Sequence, residues 1–267
     1  MAAGWVLVTS RPQGLAGLFL DLASRTVDPS CRPLAVILCS GERSANSRSK
    51  RLRRRARKVW KVGLIGTLNG LRMRAWYGAE VCSALAAPDV REVCAAMRIP
   101  LKQIRGFWDA DARQLFADLA PDLGVSIGNG LMPPEFFGIP RLGMINVHHE
   151  ILPQYRGAQT AIWQIHDGSR ETGFSIHNVD SRIDSGRILL RESMPIKFGR
   201  TLHETIVTTC TFVQRRSAEQ LLRVVSDIER YRHEAIPNEG GTLYSTPSTT
   251  ALMRIYRNHA RLRTPRA

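Results

Sequence analysis

The sequence predicts an α/β fold: a Rossmann-like, mostly parallel sheet flanked by helices, with a short helical C-terminal extension. Two observations predict it. The first forty residues read strand, helix, strand, and the same alternation resumes further along the chain. A third sets the scale: 267 residues, with 43% hydrophobic and 23% charged, suffice for a sizeable core. That composition excludes a largely disordered, collagenous or polytopic membrane chain.

Trp5 to Val8 is a short apolar run, read as a buried strand. Gly14 introduces Leu15 to Ala23 at helical length, and Pro33 to Cys39 reads as a second buried strand. Parallel strands joined this way take right-handed crossovers. After a basic segment come a helix at Val90 to Met97, a strand at Ile99 to Ile104, a helix at Ala110 to Leu119 and a strand at Leu123 to Ile127. Three further strands are expected at Met144 to Val147, Gly173 to Val179 and Arg187 to Ile196, and a helix at Thr160 to His166. Thr201 to Tyr231 is the longest helical candidate. Asn238 to Pro247 reads as a loop and Ala251 to Arg261 as a short basic helix. The expected division is a catalytic domain over 1–198, with a basic and apolar insertion at about 43–78, and a helical extension over 199–267.

The chain holds 38 Lys plus Arg against 23 Asp plus Glu, a formal charge of +15. Arg43 to Lys61 carries ten basic residues and no acid, and Arg254 to Ala267 carries five more with none, so the remainder is neutral. Such localisation points to an anionic surface met by one segment. The five cysteines form no C-x-x-C pair, which suggests neither a disulfide framework nor a zinc knuckle. Met1 to Ser10 lacks the features of a secretion signal, and no window approaches 18 uninterrupted apolar residues. A cytoplasmic chain is expected.

Asn146 and His148 stand two residues apart at the end of a strand, so both project from one face, whereas His149 points to the other. Leu152-Pro153 stops the strand and Tyr155-Arg156-Gly157 makes a turn. Asp184 lies in the loop Asp184-Ser185-Gly186 between the next two strands. An amide, an imidazole and a carboxylate at strand ends are what holding an oxyanion and moving a proton require. Taken singly, each is as readily a strand-end turn or an ordinary loop.

Their linked order says more: G-M-I-N-V-H-H-E-I-L-P-Q-Y-R-G, then W-Q-I near Trp163, then E-T-G-F-S-I-H-N-V-D-S-R-I-D-S-G-R-I-L. From about Asp122 to Ile196 this resembles the 10-formyltetrahydrofolate-dependent formyltransferases, the family that includes glycinamide ribonucleotide, methionyl-tRNA and amino-sugar formyltransferases. The resemblance implies that Asn146, His148 and Asp184 are the catalytic Asn, His and Asp. It implies that the backbone at Gly130, Leu131 and Met132 and the loop from Val179 and Asp180 to Asp184 face the pteridine. The formyl donor would be 10-formyltetrahydrofolate, with no metal. The chain departs from the family's pattern at His148-His149-Glu150-Ile151-Leu152-Pro153, where the family often has His-x-Ser-Leu-Leu-Pro, and at Arg182, where a small residue is common.

In that chemistry a neutral amine attacks the formyl carbon. Asn146 and protonated His148 stabilise the oxyanion, while Asp184 orients His148 and relays the amine proton towards the folate nitrogen. Zinc binding by His148, His149 and Glu150 is disfavoured, because adjacent strand residues face opposite ways. His166, His177, His203, His233 and His259 read as structural or solvated. Gly14-Leu15-Ala16-Gly17 is not G-x-G-x-x-G and no acid ends the second strand, so a nicotinamide cofactor is not expected.

The acceptor stays open. Methionyl-tRNA members carry a further β-barrel domain, whereas about seventy mostly helix-like residues follow Phe198. A small metabolite amine or amino sugar is therefore favoured over tRNA. Hydrolysis of the formyl group is a third reading, and a non-catalytic polyanion-binding module a fourth. Arg43 to Tyr77, basic and then apolar with Trp60 and Trp76, reads as a solvated insertion, as a peripheral contact with the anionic inner membrane face, or as an RNA contact. Oligomeric state is not legible.

Overall fold

The computed structural model describes residues 3–26, 32–41, 63, 65–157 and 160–264. The main sheet has seven strands in the order β3-β2-β1-β4-β5-β7-β8. They are β1 (Trp5–Thr9), β2 (Ala35–Cys39), β3 (Leu101–Ile104), β4 (Leu123–Ile127), β5 (Met144–His148), β7 (Glu171–Asn178) and β8 (Ile188–Pro195). The first five run parallel, and β7 and β8 close the far edge antiparallel. β1 is buried at all five positions. Its alternate residues explain why: Trp5 and Leu7 enter the core beneath helices α1 (Leu15–Arg25), α4 (Val90–Met97) and α8 (Leu202–Ser226), while Val6 and Val8 enter the opposite core with α5 (Ala110–Asp118) and α6 (Pro134–Phe137). A parallel strand covered on both faces has no polar side to display.

A third cluster joins α2 (65–75), the π turn Trp76–Glu80 and α3 (Val81–Leu85) to α7 (Ile162–Asp167), the first half of α8 and α10 (Thr249–Leu262). The β-branched stretch Thr205 to Thr211 disfavours helix by up to about 0.7 kcal/mol per residue. Packing outweighs that cost, since each fully buried side chain such as Ile206 contributes roughly 1.5–3 kcal/mol. The threonines also serve as acceptors: Thr209 Oγ1 takes the Lys197 N–H at 3.0 Å and Thr205 Oγ1 the Gly199 N–H at 2.9 Å.

Three expectations need correction. The helix over Thr201 to Tyr231 is two, broken at Asp227 (φ −134°), with α9 (Ile228–His233) following α8. Tyr155-Arg156-Gly157 is not a turn but strand β6, and the loop Asn238 to Pro247 contains β9 (Thr242–Tyr244), paired with it in parallel. Each strand has only three residues, too few for periodicity to show. The pairing is sealed by stacking of Tyr155 on Tyr244, centroids 5.4 Å apart, and by both hydroxyls donating to Asp167 Oδ2 at 3.2 Å. Lastly, Met73 and Trp76, grouped by sequence with the outward apolar half of the insertion, are buried in the third cluster.

Candidate active site

The site lies beyond the carboxyl ends of β1, β4 and β5, where ligands bind in open α/β sheets. A cavity of about 760 Å³ is lined by all eight residues singled out from the sequence: Asn146, His148 and Asp184, then Gly130, Leu131 and Met132, and Val179 and Asp180. β5 delivers Asn146 and His148 to the same side. The loop after β7 delivers Asp184 in a left-handed conformation (φ 48°), fixed by the Asn238 amide, which donates to the Asp184 carbonyl at 3.1 Å and to that of Gly186 at 2.9 Å. Asp and Asn tolerate this region better than most residues.

His148 donates from Nε2 to the Tyr155 carbonyl at 2.9 Å, and its Nδ1 stands 3.5 Å from Asp184 Oδ2. Both ring nitrogens therefore face acceptors. The same Asp184 oxygen accepts the Gly157 N–H at 3.0 Å. Only glycine fits there: its φ is 98°, and an added Cβ would lie 2.3 Å from the Tyr244 carbonyl oxygen. The β6–β9 pair thus sets the carboxylate's position, and Leu243 to Thr246 form part of the cavity wall.

His177, read from sequence as structural or solvated, also lines this cavity. It pairs with Asn146 across β5 and β7, and its Nε2 lies 3.7 Å from Asp184 Oδ1. Burial pushes its imidazole below the ordinary range, with Asp184 opposing and His148 reinforcing the shift. Its Nδ1 donates to the Asn178 carbonyl at 2.8 Å, leaving Nε2 to accept from the Asn146 amide. The signal was in the sequence: Ser175 and His177 alternate on one strand seven residues before Asp184. Asn129 was missed too; its amide ties the β4 loop to the Val8 carbonyl at 2.8 Å, and its Oδ1 accepts from Ser10 Oγ at 2.7 Å.

A second cavity of about 940 Å³ adjoins the first, sharing Gly128, Val147, His149, Thr160 and Thr246. The His149 ring turns to the face opposite Asn146 and His148, as strand alternation suggests, with Nε2 3.4 Å from Ser217 Oγ on α8. β5 ends at His148, and His149 stands in the wall common to both cavities. Burial, with His148 and Arg11 adding like charge, pushes its imidazole down to about 3. Arg11 and Arg74 line the second cavity, no carboxylate does, and neither guanidinium has an ion-pair partner among the described residues. Among the described residues no three metal-ligating side chains converge.

Fold and site together define a doubly wound α/β protein with an amide, an imidazole and a carboxylate gathered at the carboxyl end of its sheet. The chain belongs to the formyl transferase family, whose model matches residues 75–218. It is 30% identical over 164 residues to a methionyl-tRNA formyltransferase of Pelotomaculum thermopropionicum, covering 61% of this chain and 51% of the relative. It spans about half the length of the curated relatives it matches. Two solved structures share the fold. One is an N-formyltransferase from Helicobacter canadensis in complex with folinic acid and dTDP-3-aminofucose (TM-score 0.56, 14% identity, 97% of this chain and 80% of that one). The other is a phosphoribosylglycinamide formyltransferase from Bacillus halodurans (TM-score 0.54, 18% identity, 85% and 97%).

Proposed function

We propose that this chain transfers the formyl group of 10-formyltetrahydrofolate to the amine of a small anionic acceptor, such as an amino sugar or another metabolite. The observation that carries the reading is the pair of adjoining cavities: one holds Asn146, His148 and Asp184, and the other offers two arginines that, among the described residues, meet no carboxylate. The residues of the first cavity fit a folate. Leu131 and Ile183, 52% and 42% exposed, leave apolar surface at its rim on which a flat ring can pack, with the polar backbone of 128–132 and 179–184 beside it. The folate would supply an activated formyl carbon. Asn146 would donate to the formyl oxygen as charge develops, and His148, held by the Tyr155 carbonyl and Asp184, would share that charge. Asp184 would also steer the amine proton towards the departing nitrogen, while Arg11 and Arg74 anchor the anionic part of the acceptor. In this reading 1–198 carries the reacting groups, and 199–267 contributes the β9 wall.

The test is turnover of 10-formyltetrahydrofolate by the full chain with dTDP-3-aminofucose, glucosamine 6-phosphate, initiator Met-tRNA or no amine. Formylation of a small phosphorylated amine supports the proposal. Saturable formylation of Met-tRNA alone favours the second reading, for which the methionyl-tRNA formyltransferase relatives speak. Consumption without any amine marks a hydrolase.

A peripheral membrane contact by a cytoplasmic chain is proposed alongside. Residues 42–62 and 64, which hold most of the Arg43 to Tyr77 segment including Trp60, lie outside the described residues. What supports the contact is α2, where Ile65, Leu68 and Leu71 form an outward stripe, each more than half exposed, with Arg72 and Arg74 alongside. No described helix is long and apolar enough to cross a membrane. Blue-shifted Trp emission with anionic vesicles, abolished by Ile65→Asp, is the expected result. Loss of RNA binding on neutralising Arg53, Arg54 and Arg55, with no effect of Ile65→Asp, would assign the segment to RNA instead.

A further inference from the structure

Glu150 is a carboxyl in the wall of the reaction cavity that the chemistry above does not use. It is 3% exposed and accepts a hydrogen bond from Gln164 Nε2 on Oε2, while Oε1 has no partner among the described residues. A buried carboxyl oxygen without a donor is costly, about 1–3 kcal/mol, unless something supplies one. The titratable groups that feel its charge come from four elements: Tyr77 in the π turn, Cys210 on α8, Tyr155 on β6 and Tyr244 on β9. Burial raises all four above their ordinary values, so all four surround Glu150 electrostatically as neutral groups. No cation acts on Glu150 among the described residues, and burial drives its own carboxyl well above the ordinary range, opposed by the Gln164 hydrogen bond.

We propose that Glu150 is the base that takes the proton from the acceptor's ammonium, and that its unpartnered oxygen is the seat of that amine. The inference rests on the transferase reading. An aliphatic acceptor arrives as R–NH₃⁺, which cannot attack a carbonyl carbon. Its positive charge favours ionisation of Glu150, which sheds its proton to water as the ammonium enters. An N–H bond of the ammonium then breaks, its proton passes to the Glu150 carboxylate, and the freed lone pair forms the N–C bond to the formyl carbon. The C–N bond to the folate breaks, and the folate nitrogen takes a second amine proton by way of His148 and Asp184. The products are the N-formyl amine and tetrahydrofolate, with Glu150 left protonated as it began. A hydroxyl at this position would lack that basicity, so the departure to Glu in His148-His149-Glu150 gains a chemical reason.

The test is kcat/KM against pH for the full chain, with 10-formyltetrahydrofolate and the probes dTDP-3-aminofucose and glucosamine 6-phosphate. In Glu150→Gln, kcat/KM at neutral pH is expected to fall about 10²-fold, and the acid limb set by Glu150 to give way to one set by the probe's own amine. Gln164→Leu leaves the carboxyl in place but removes the hydrogen bond that lowers its pKa, so the acid limb is expected to move to higher pH. A merely structural role would move neither limb. Infrared difference spectra supply a readout without turnover: a protonated-carboxyl band lost on adding the probe and absent from Glu150→Gln. Wild-type turnover with unmoved profiles in both variants overturns this inference alone. No wild-type formylation of either probe overturns the small-acceptor reading, and this inference with it.

Discussion

The Asn146 amide and the His177 ring face one another across β5 and β7, with Nδ2 3.3 Å from Nε2. A neutral His177, its Nδ1 proton committed to the Asn178 carbonyl, is the acceptor that aims the Asn146 amide. His177→Phe is therefore expected to lower kcat about 10-fold, the cost of one lost orienting hydrogen bond, with KM for the folate unchanged. Steady-state kinetics decide it, and an unaltered kcat would show that Asn146 needs no such partner.

Substitutions of the three proposed reacting groups should cost more. Asn146→Ala, His148→Ala and Asp184→Asn are each expected to lower kcat by about 10²-fold or more, while circular dichroism stays that of the wild type. Retention of full activity by Asn146→Ala would remove it from the mechanism.

Arg11→Ala and Arg74→Ala should act on binding. Both side chains are exposed, so screening limits each to about a 10-fold rise in the acceptor's KM, with kcat nearly constant. The effect should shrink in high salt. A fall in kcat at constant KM would move these residues from anchoring to chemistry.

Stability should depend on pH through His149. Its folded pKa, about 3, lies below the ordinary value of 6.5, so the unfolded chain takes up the proton first. The stabilisation it contributes is whole above about pH 6.5 and is lost as pH falls towards 3. His177 acts in the same direction. Thermal melts between pH 7 and 4 should show a shallower decline in His149→Gln than in the wild type, and equal slopes would refute the assignment.

Much of the architecture was legible because the parallel strands are buried on both faces and read as apolar runs: Trp5–Thr9, Ala35–Cys39 and Leu123–Ile127 needed no partner to be recognised. That Asn146, His148 and Asp184 share one cavity was legible because their order along the chain is itself a pattern. What escaped depends on pairing between distant segments. β6 and β9 are three residues each and 87 positions apart at Tyr155↔Thr242, so neither declares itself alone, yet together they position Gly157 and through it Asp184. His177 escaped because a lone histidine on an apolar strand is ordinarily structural, and only the register with Asn146 gives it a site. Glu150 escaped because its burial against Gln164 on α7 follows from tertiary packing that strand alternation does not register.

The measurement that bears most directly on the account is single-turnover formyl transfer from 10-formyltetrahydrofolate to glucosamine 6-phosphate and dTDP-3-aminofucose, followed by mass spectrometry for wild type and His148→Ala. The account predicts an N-formyl product from the wild type with at least one of these amines, and a rate lower by about 10²-fold or more in His148→Ala. Equal rates in the two proteins, or no formylated amine from the wild type, would contradict it.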